Sequence, residues 1–521
     1  MRDEATSDPG AGSTWYCVRR GGAARHSGWI ENAPLDDLHR RVEARLQDLI
    51  EVSTAAKFRP VPHERFSAVF YNRARGRIGM EINCCSETER LAPTRMLAQN
   101  LSFARALERF CERRKIARED FEARGTVRAF SARQFLVSGD GRQVTELFRG
   151  SVPVASDPAR AENRAGDLAD GIGRWMLANS DSDGSLPYKY WPSRGEKSPA
   201  DNAIRRFLAS LALARLGELR GDADIRDAAR RNLRFNLRRY FQSLGDGRGV
   251  IVEATGAKLG AAALAALSIL ESPAAGEFRT ELAMLTAGVN SLAHEEHGFR
   301  TFFFPAERDG QNWNFYSGEA LLFWAEALRQ RVPEAPSPRQ CEAAFLRCRG
   351  RHRRARNPAF IPWHTQACAS LFEQTGQRAY ADFTFEMNDW LLPMQQWDGL
   401  AEDLRGRFFD PLRPDFGPPH AASTGAYLEG LADAAELARA RNDRGRAAAY
   451  RRAIKRGLRS LRQLQFRGPE DAFYVSKRRR VMGALRVEAY DNTIRIDSAA
   501  HALAAAVKLM RRADQPEPER A

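Results

Sequence analysis

The chain divides by the spacing of its apolar positions. Between about residues 56 and 160 short runs alternate apolar with polar. "HERFSAVFYN" and "RIGMEINCC" read as strands joined at "RARGR", and "GTVRAFSARQFLVSG" and "RQVTELFRGSVPV" read as a hairpin around "DGR". Between the two, residues 92–114 ("APTRMLAQNLSFARALERFCERR") have helical spacing. These elements predict a small α+β domain over 56–160. Residues 1–55 read as an N-terminal lead-in, partly disordered, with one helix.

From about residue 165 the apolar spacing becomes helical and stays so to about 512. It also repeats. Segments such as "MLANSDSDGSLPYKYWP", "SLGDGRGVIVEATG" and "MQQWDGLAEDLRGRFFDP" leave a helix through a Gly or Asp-Gly turn that carries aromatics. After each loop comes a helix of small residues, such as "EATGAKLGAAALAALSIL" or "HAASTGAYLEGLADAAELA". The starts fall near 201, 255, 316, 361, 421 and 494. Longer helices striped with charge, such as "RGRAAAYRRAIKRGLRSLRQLQF", lie between them. A helix poor in charge is buried on most sides, whereas an Arg/Glu-striped one keeps a solvent face. Strict alternation of the two kinds predicts an inner ring inside an outer ring. The expected fold is therefore mainly α, an (α/α)6 toroid over 165–512 preceded by the small α+β domain, with 513–521 as a disordered tail.

This repeat style resembles the six-hairpin glycosidase-like superfamily, which includes hydrolases, polysaccharide lyases, and sugar and uronyl epimerases. The resemblance is one of architecture and covers about 165–512. Lanthionine-cyclase-like and prenyltransferase-like toroids share the layout. The lanthionine type would want a Cys/Cys/His zinc set and a terpene-cyclase type a DxDD or DDxxD cluster, and the sequence supplies neither.

Composition narrows the setting. The 521 residues, 43% hydrophobic and 28% charged, suit two globular domains. No stretch reaches about 18 uninterrupted apolar residues, which speaks against a transmembrane helix. The first residues lack an apolar signal-peptide core, so a cytoplasmic protein is expected. Seven cysteines form no CxxC pair, and "HEEH" at 294–297 is not HExxH, so no metal and no cofactor are expected. The net charge of +15 comes without a nucleic-acid-binding motif, so no specific nucleic-acid partner is expected. The run "SKRRRV" (476–481) reads as a solvated loop or as a grip on an acidic polymer, since guanidinium pairs bidentately with carboxylate.

In a toroid the inner helices start at one end, so residues far apart in sequence converge on a single mouth. Those residues are Asp201, Asn202 and Arg205; Glu253 and Lys258; Trp313, Tyr316 and Glu319; Trp363 and His364; His420, Thr424 and Glu429; and the cluster from Tyr490, Asp491, Asn492 and Arg495 to Asp497 and His501. Aromatics stack on sugar rings, and Asn, Arg and carboxylates hydrogen-bond hydroxyls. Paired carboxylates serve acetal hydrolysis, whereas a His or Tyr base beside Arg serves proton abstraction next to a uronate carboxylate. The catalytic candidates are Glu319, Asp491, Asp201, His364 and His420. Tyr188, Asn202, Trp313, Tyr316, Trp363, Thr424, Tyr490, Asn492 and Arg495 are the binding candidates. Asp497 and His501, i and i+4 on one helix, read as a pair. Asp201 and Asp491 also fit as helix N-caps. The expected function is a carbohydrate-active enzyme on an acidic, uronate-containing glycan, with hydrolysis first and lyase or epimerase chemistry second. A non-catalytic glycan- or peptide-binding toroid of cell-envelope biosynthesis is the third reading.

Overall fold

A computed structural model describes residues 12–31, 35–155 and 164–513. The disorder expected at 1–11 and 514–521 lies outside the described residues. The N-terminal unit is built on one sheet. Its strands are β1 (Ser13–Arg20), β2 (Ala23–Glu31), β3 (Leu49–Val61), β4 (Ile78–Cys84), β5 (Glu87–Leu91), β6 (Thr126–Ser138) and β7 (Val144–Leu147). They pair antiparallel in the order β2-β1-β3-β6-β4-β5, with β7 also on β6. Helices α1 (Leu35–Arg41), α2 (Phe66–Val69), α3 (Pro93–Ala98), α4 (Phe103–Arg114) and α5 (Arg118–Arg124) accompany it.

Two expectations are corrected here. Residues 13–55 are not a lead-in, because β1, β2 and the start of β3 lie there. Buried charge hid them: Arg19 on β1 meets Glu51 on β3 at 2.6 Å inside the unit, so ionisable residues occupy positions that apolar alternation would fill. "HERFSAVFYN" is helical rather than extended. Phe66 and Phe70, i and i+4, share a helix face with ring centroids 5.0 Å apart, and Phe70 meets Phe103 at 4.8 Å.

Among the described residues twelve helices follow: α6 (Arg164–Asn179), α7 (Ala203–Arg220), α8 (Ala223–Tyr240), α9 (Leu259–Leu270), α10 (Arg279–Ser291), α11 (Trp313–Arg329), α12 (Pro338–Arg354), α13 (Ile361–Thr375), α14 (Arg378–Leu391), α15 (Ala421–Ala440), α16 (Arg444–Leu464) and α17 (Ile496–Ala513). Helices α7, α9, α11, α13, α15 and α17 each pack on the next, and α17 packs back on α7, closing a ring. The other six lie outside it. The sequence dictates this division. Every residue of α9 is buried, whereas α16 buries Tyr450, Ile454, Leu458 and Leu461 at helical spacing and turns most of its arginines outward.

The two ends of the ring differ. Inner helices pass to outer ones through short turns such as 221–222, 376–377 and 441–443. Most returns are long (180–202, 241–258, 292–312, 392–420 and 465–495). They carry the short strands β8 (Lys189–Trp191), β9 (Glu196–Lys197), β10 (Phe241–Ser243), β11 (Gly249–Glu253), β12 (Gly256–Lys258), β13 (Ala293–His294), β14 (Gly298–Phe299), β15 (Phe302–Phe304), β16 (Arg486–Glu488) and β17 (Asp491–Arg495). Strand β17 pairs with both β16 and β8, stitching the last long loop to the first.

The N-terminal unit docks on the last two long loops. Arg149 and Asp403 meet at 2.5 Å with both side chains 2% exposed. Ser151 donates to Asp471 at 2.6 Å, and Asn492 donates to the Leu97 carbonyl at 2.7 Å. Among the described residues no helix is long and apolar enough to cross a membrane.

Candidate active site

At the long-loop end the ring opens into a cavity of about 410 Å³, and all six inner helices contribute to its wall. Arg205 comes from α7, Leu264 from α9, Tyr316 and Glu319 from α11, Trp363 from α13, Tyr427 from α15, and Asp497 and His501 from α17. Lys258, His420 and Arg495 stand just before their helices. The long loop 392–420 adds Phe408, Phe409, Asp410 and Phe416. The order around the ring sets α11 diametrically opposite α17, so Glu319 lies across the cavity from Asp497 and His501.

Glu319 is 3% exposed, and its Oε2 has no hydrogen-bond partner. Burial pushes its carboxyl up to about 8, so it carries a proton at neutral pH. Gly260 on α9 makes the room, since a Cβ there would fall 2.0 Å from Oε2. Burial, and then Glu319 itself, also push the Tyr316 phenol up.

The opposite wall is charged. His501 Nδ1 lies 2.6 Å from Oε1 of Glu429, a fully buried residue of α15. With the ring proton on Nδ1, Nε2 is left for the cavity. Asp497, 4% exposed, accepts from Arg495 Nε at 3.0 Å and meets Arg205 Nε at 3.0 Å. Burial opposes its charge, but the Arg205 and Arg495 guanidiniums outweigh burial and hold its carboxyl below the ordinary range. His420 caps α15: its Nδ1 accepts from the Ser423 amide at 3.0 Å, which leaves the ring proton on Nε2. Burial and Arg495 hold it down to about 4, so the ring is neutral and serves as a hydrogen-bond donor.

Of the residues singled out in the sequence, Glu319, His420, Asn202, Arg205, Lys258, Tyr316, Trp363, Arg495, Asp497 and His501 line this cavity. The others lie elsewhere. Asp201 is held by Arg206, Tyr240 and the Asn202 amide. His364 is 1% exposed, with Nδ1 2.8 Å from the Phe360 carbonyl and Nε2 3.3 Å from Ser317 Oγ. Burial pushes it down to about 3. Asp491 accepts from Asn100 of the N-terminal unit at 3.0 Å. Asn492 bonds Leu97 and Tyr474, and Tyr490 lies beside Arg407. All three belong to the seam between the two units. Trp313 donates to the His297 carbonyl at 3.2 Å and stacks on Phe360 outside the cavity. Tyr188 lies under Arg205 at 5.4 Å and holds that guanidinium from behind. Thr424 is buried at 1% exposure inside α15. The reading of Asp497 with His501 as a pair is corrected: their partners come from neighbouring helices, Arg205 on α7 and Glu429 on α15. Arg308, Asp410 and the loop phenylalanines carry no periodic signal, and sequence reasoning passed over them. Among the described residues no cluster of His, Cys, Asp or Glu could hold a metal ion.

No family model matches the chain, and no curated protein matches it in sequence. Solved structures similar to it include an unsaturated glucuronyl hydrolase specific for heparin (10% identity, 68% of this chain and 99% of that one, TM-score 0.49). Cellobiose 2-epimerase from Bacillus thermoamylovorans B4167 aligns at 9% identity over 68% of this chain and 100% of its own, with TM-score 0.49. The GH76A α-1,6-mannanase of Salegentibacter sp. HEL1_6 aligns at 11% identity over 67% and 99%, with TM-score 0.46.

Proposed function

We propose that the cavity is the active site of a carbohydrate-active enzyme that works by acid–base catalysis on a carboxylate-bearing sugar, with hydrolysis of a glycosidic bond as its reaction. One observation carries this reading: a carboxyl that keeps its proton at neutral pH faces, across the ring, an imidazole backed by a buried carboxylate. Glu319 donates its proton to the leaving-group oxygen. His501, oriented by Glu429, takes a proton from the water that attacks from the far side. Arg205 and Arg495 share one carboxylate, Asp497, and the positive charge left over holds the substrate's own carboxylate. Trp363, Tyr316 and the loop phenylalanines supply flat faces for the sugar ring.

A second reading has its own support. The cavity's free base is an imidazole standing near two guanidiniums, the set that proton abstraction beside a carboxylate would use. That chemistry would make the protein a lyase or an epimerase. The test is turnover by the full chain of neutral and uronate-containing oligosaccharides, with three readouts taken together. New reducing ends alone mean hydrolysis, ultraviolet absorbance of an unsaturated product means elimination, and solvent deuterium in an uncleaved sugar means epimerisation. Glu319→Gln and His501→Gln should each abolish the activity found. If both variants keep it, the chemistry lies elsewhere.

A further inference from the structure

A second basic hollow, of about 550 Å³, lies outside the ring between α6 and the long loop 465–495. Its rim holds Arg174 on α6, Arg462 at the end of α16, and Arg467, Arg478 and Arg479 from the loop. The last two come from the run "SKRRRV". Acidic groups compensate only part of this charge. Asp167 stands 3.4 Å from Arg462, Asp471 stands 2.9 Å from Arg467, and Asp170 is engaged by Arg220 at 2.6 Å. Arg174, Arg478 and Arg479 have no acidic partner among the described residues, and Arg478 Nε is buried without a hydrogen-bond partner. Glycines let α6 and the loop pack closely beneath the hollow. A Cβ on Gly483 would fall 2.0 Å from the Gly171 carbonyl oxygen, and one on Gly171 would fall 2.4 Å from Gln465 Nε2.

We propose that this hollow is a second binding site, separate from the cavity, for an oligoanion whose carboxylates or phosphates bridge Arg174 to Arg478 and Arg479. Three guanidiniums without acidic partners around one hollow offer the paired N–H donors that planar, bidentate oxyanions fit. Arg174 and Arg479 are exposed and Arg478 is half-buried, so their outer guanidinium nitrogens can reach a bound oxyanion. The site does not depend on the chemistry of the ring, since none of its residues lines the cavity.

Calorimetric titration of the full chain with trigalacturonate and with tripolyphosphate tests it. At least one probe should bind, more weakly as salt rises. In an Arg205→Ala/Arg495→Ala background, which removes the cavity's own hold on a carboxylate-bearing sugar, adding Arg174→Ala/Arg478→Ala/Arg479→Ala should weaken the remaining binding about tenfold or more. In that background, binding of trigalacturonate alone identifies an acidic sugar as the ligand, tripolyphosphate alone a phosphate chain, and both a general oxyanion site. The proposal is overturned if neither probe binds, if adding the triple substitution leaves binding as tight as in that background, or if Arg205→Ala/Arg495→Ala by itself abolishes binding.

Discussion

The two ends of the inner ring are made from the same six helices, yet they treat buried charge in opposite ways. At the short-turn end Arg215 makes two 2.6 Å bonds to Glu271, with only its Nη1 left without a partner. Lys508 reaches Asp433 at 2.6 Å, Arg512 joins it at 2.5 Å, and Ser370 donates to Glu326 at 2.8 Å. At the long-loop end Glu319 keeps an oxygen without a partner, His501 keeps Nε2 for the cavity, and two guanidiniums share one carboxylate. Buried ionic groups that satisfy one another hold a barrel together. Groups left short of partners beside an open volume are arranged for something that enters it.

The widest separation between the ends is expected for Glu319→Gln. In the proposed role of proton donor, Glu319 should account for about 10²- to 10⁴-fold in kcat/KM, and its loss should leave the fold intact. Stability gives an independent check. Burial raises the folded-state carboxyl from 4.5 to about 8, so across that window the folded chain holds a proton that the unfolded chain has released. Stability from this group is therefore fully present below pH 4.5 and lost as pH rises toward 8. Urea titrations at both pH values should show this fall in the natural chain and a smaller fall in the variant. Equal falls would mean that Glu319 does not titrate there.

Asp433→Asn should do the reverse. It strands Lys508 and Arg512 with a neutral partner, at a cost of about 3 kcal/mol in unfolding free energy, and kcat should stay near that of the natural chain. A loss of kcat larger than the loss of folded protein would break the division between a structural end and a chemical end. Glu429→Gln stands between the two. It removes the group that orients His501, so kcat should fall by roughly tenfold to a hundredfold with KM little changed. A change confined to Tm would reduce Glu429 to a structural group.

How far the sequence foretells this division depends on the kind of signal. Burial of whole helices is written in composition, so the inner helices begin within a few residues of the expected starts: Ala203, Leu259, Trp313, Ile361, Ala421 and Ile496. Side-chain partners are not. Asp497 and His501 share a face because i and i+4 always do, but the atoms they bind come from Arg205 on α7, Glu429 on α15 and Arg495 in β17. Asp491 and Asn492 looked like part of a pocket wall because they precede an inner helix. Their partners, Asn100 and the Leu97 carbonyl, lie nearly four hundred positions upstream, in a unit whose docking leaves no local pattern. Glu319 was legible for a physical reason, as an acid in the apolar first half of a helix whose other acid, Glu326, lies two turns further on.

Gly260→Ala gives the smallest and most local test, because it changes only the space around that acid. Gly260 lies in the first turn of α9, where alanine gains about 1 kcal/mol in helix propensity. Its Cβ would fall 2.0 Å from Glu319 Oε2 and 2.6 Å from the Tyr316 ring, and overpacking of that kind costs about 1–3 kcal/mol. The two terms nearly offset, so Tm should move by only a few degrees. The carboxyl, however, must shift, and kcat should fall about tenfold because a proton donor displaced by an ångström transfers less well. Gly350→Ala on outer helix α12 is the matched control. Its nearest neighbour would be the flexible end of Arg354 at 3.7 Å, so it should gain stability and leave kcat alone. If the two alanines act alike on kcat, the glycine at the open end is ordinary packing. If only Gly260→Ala lowers it, that glycine holds space for the proton-bearing group.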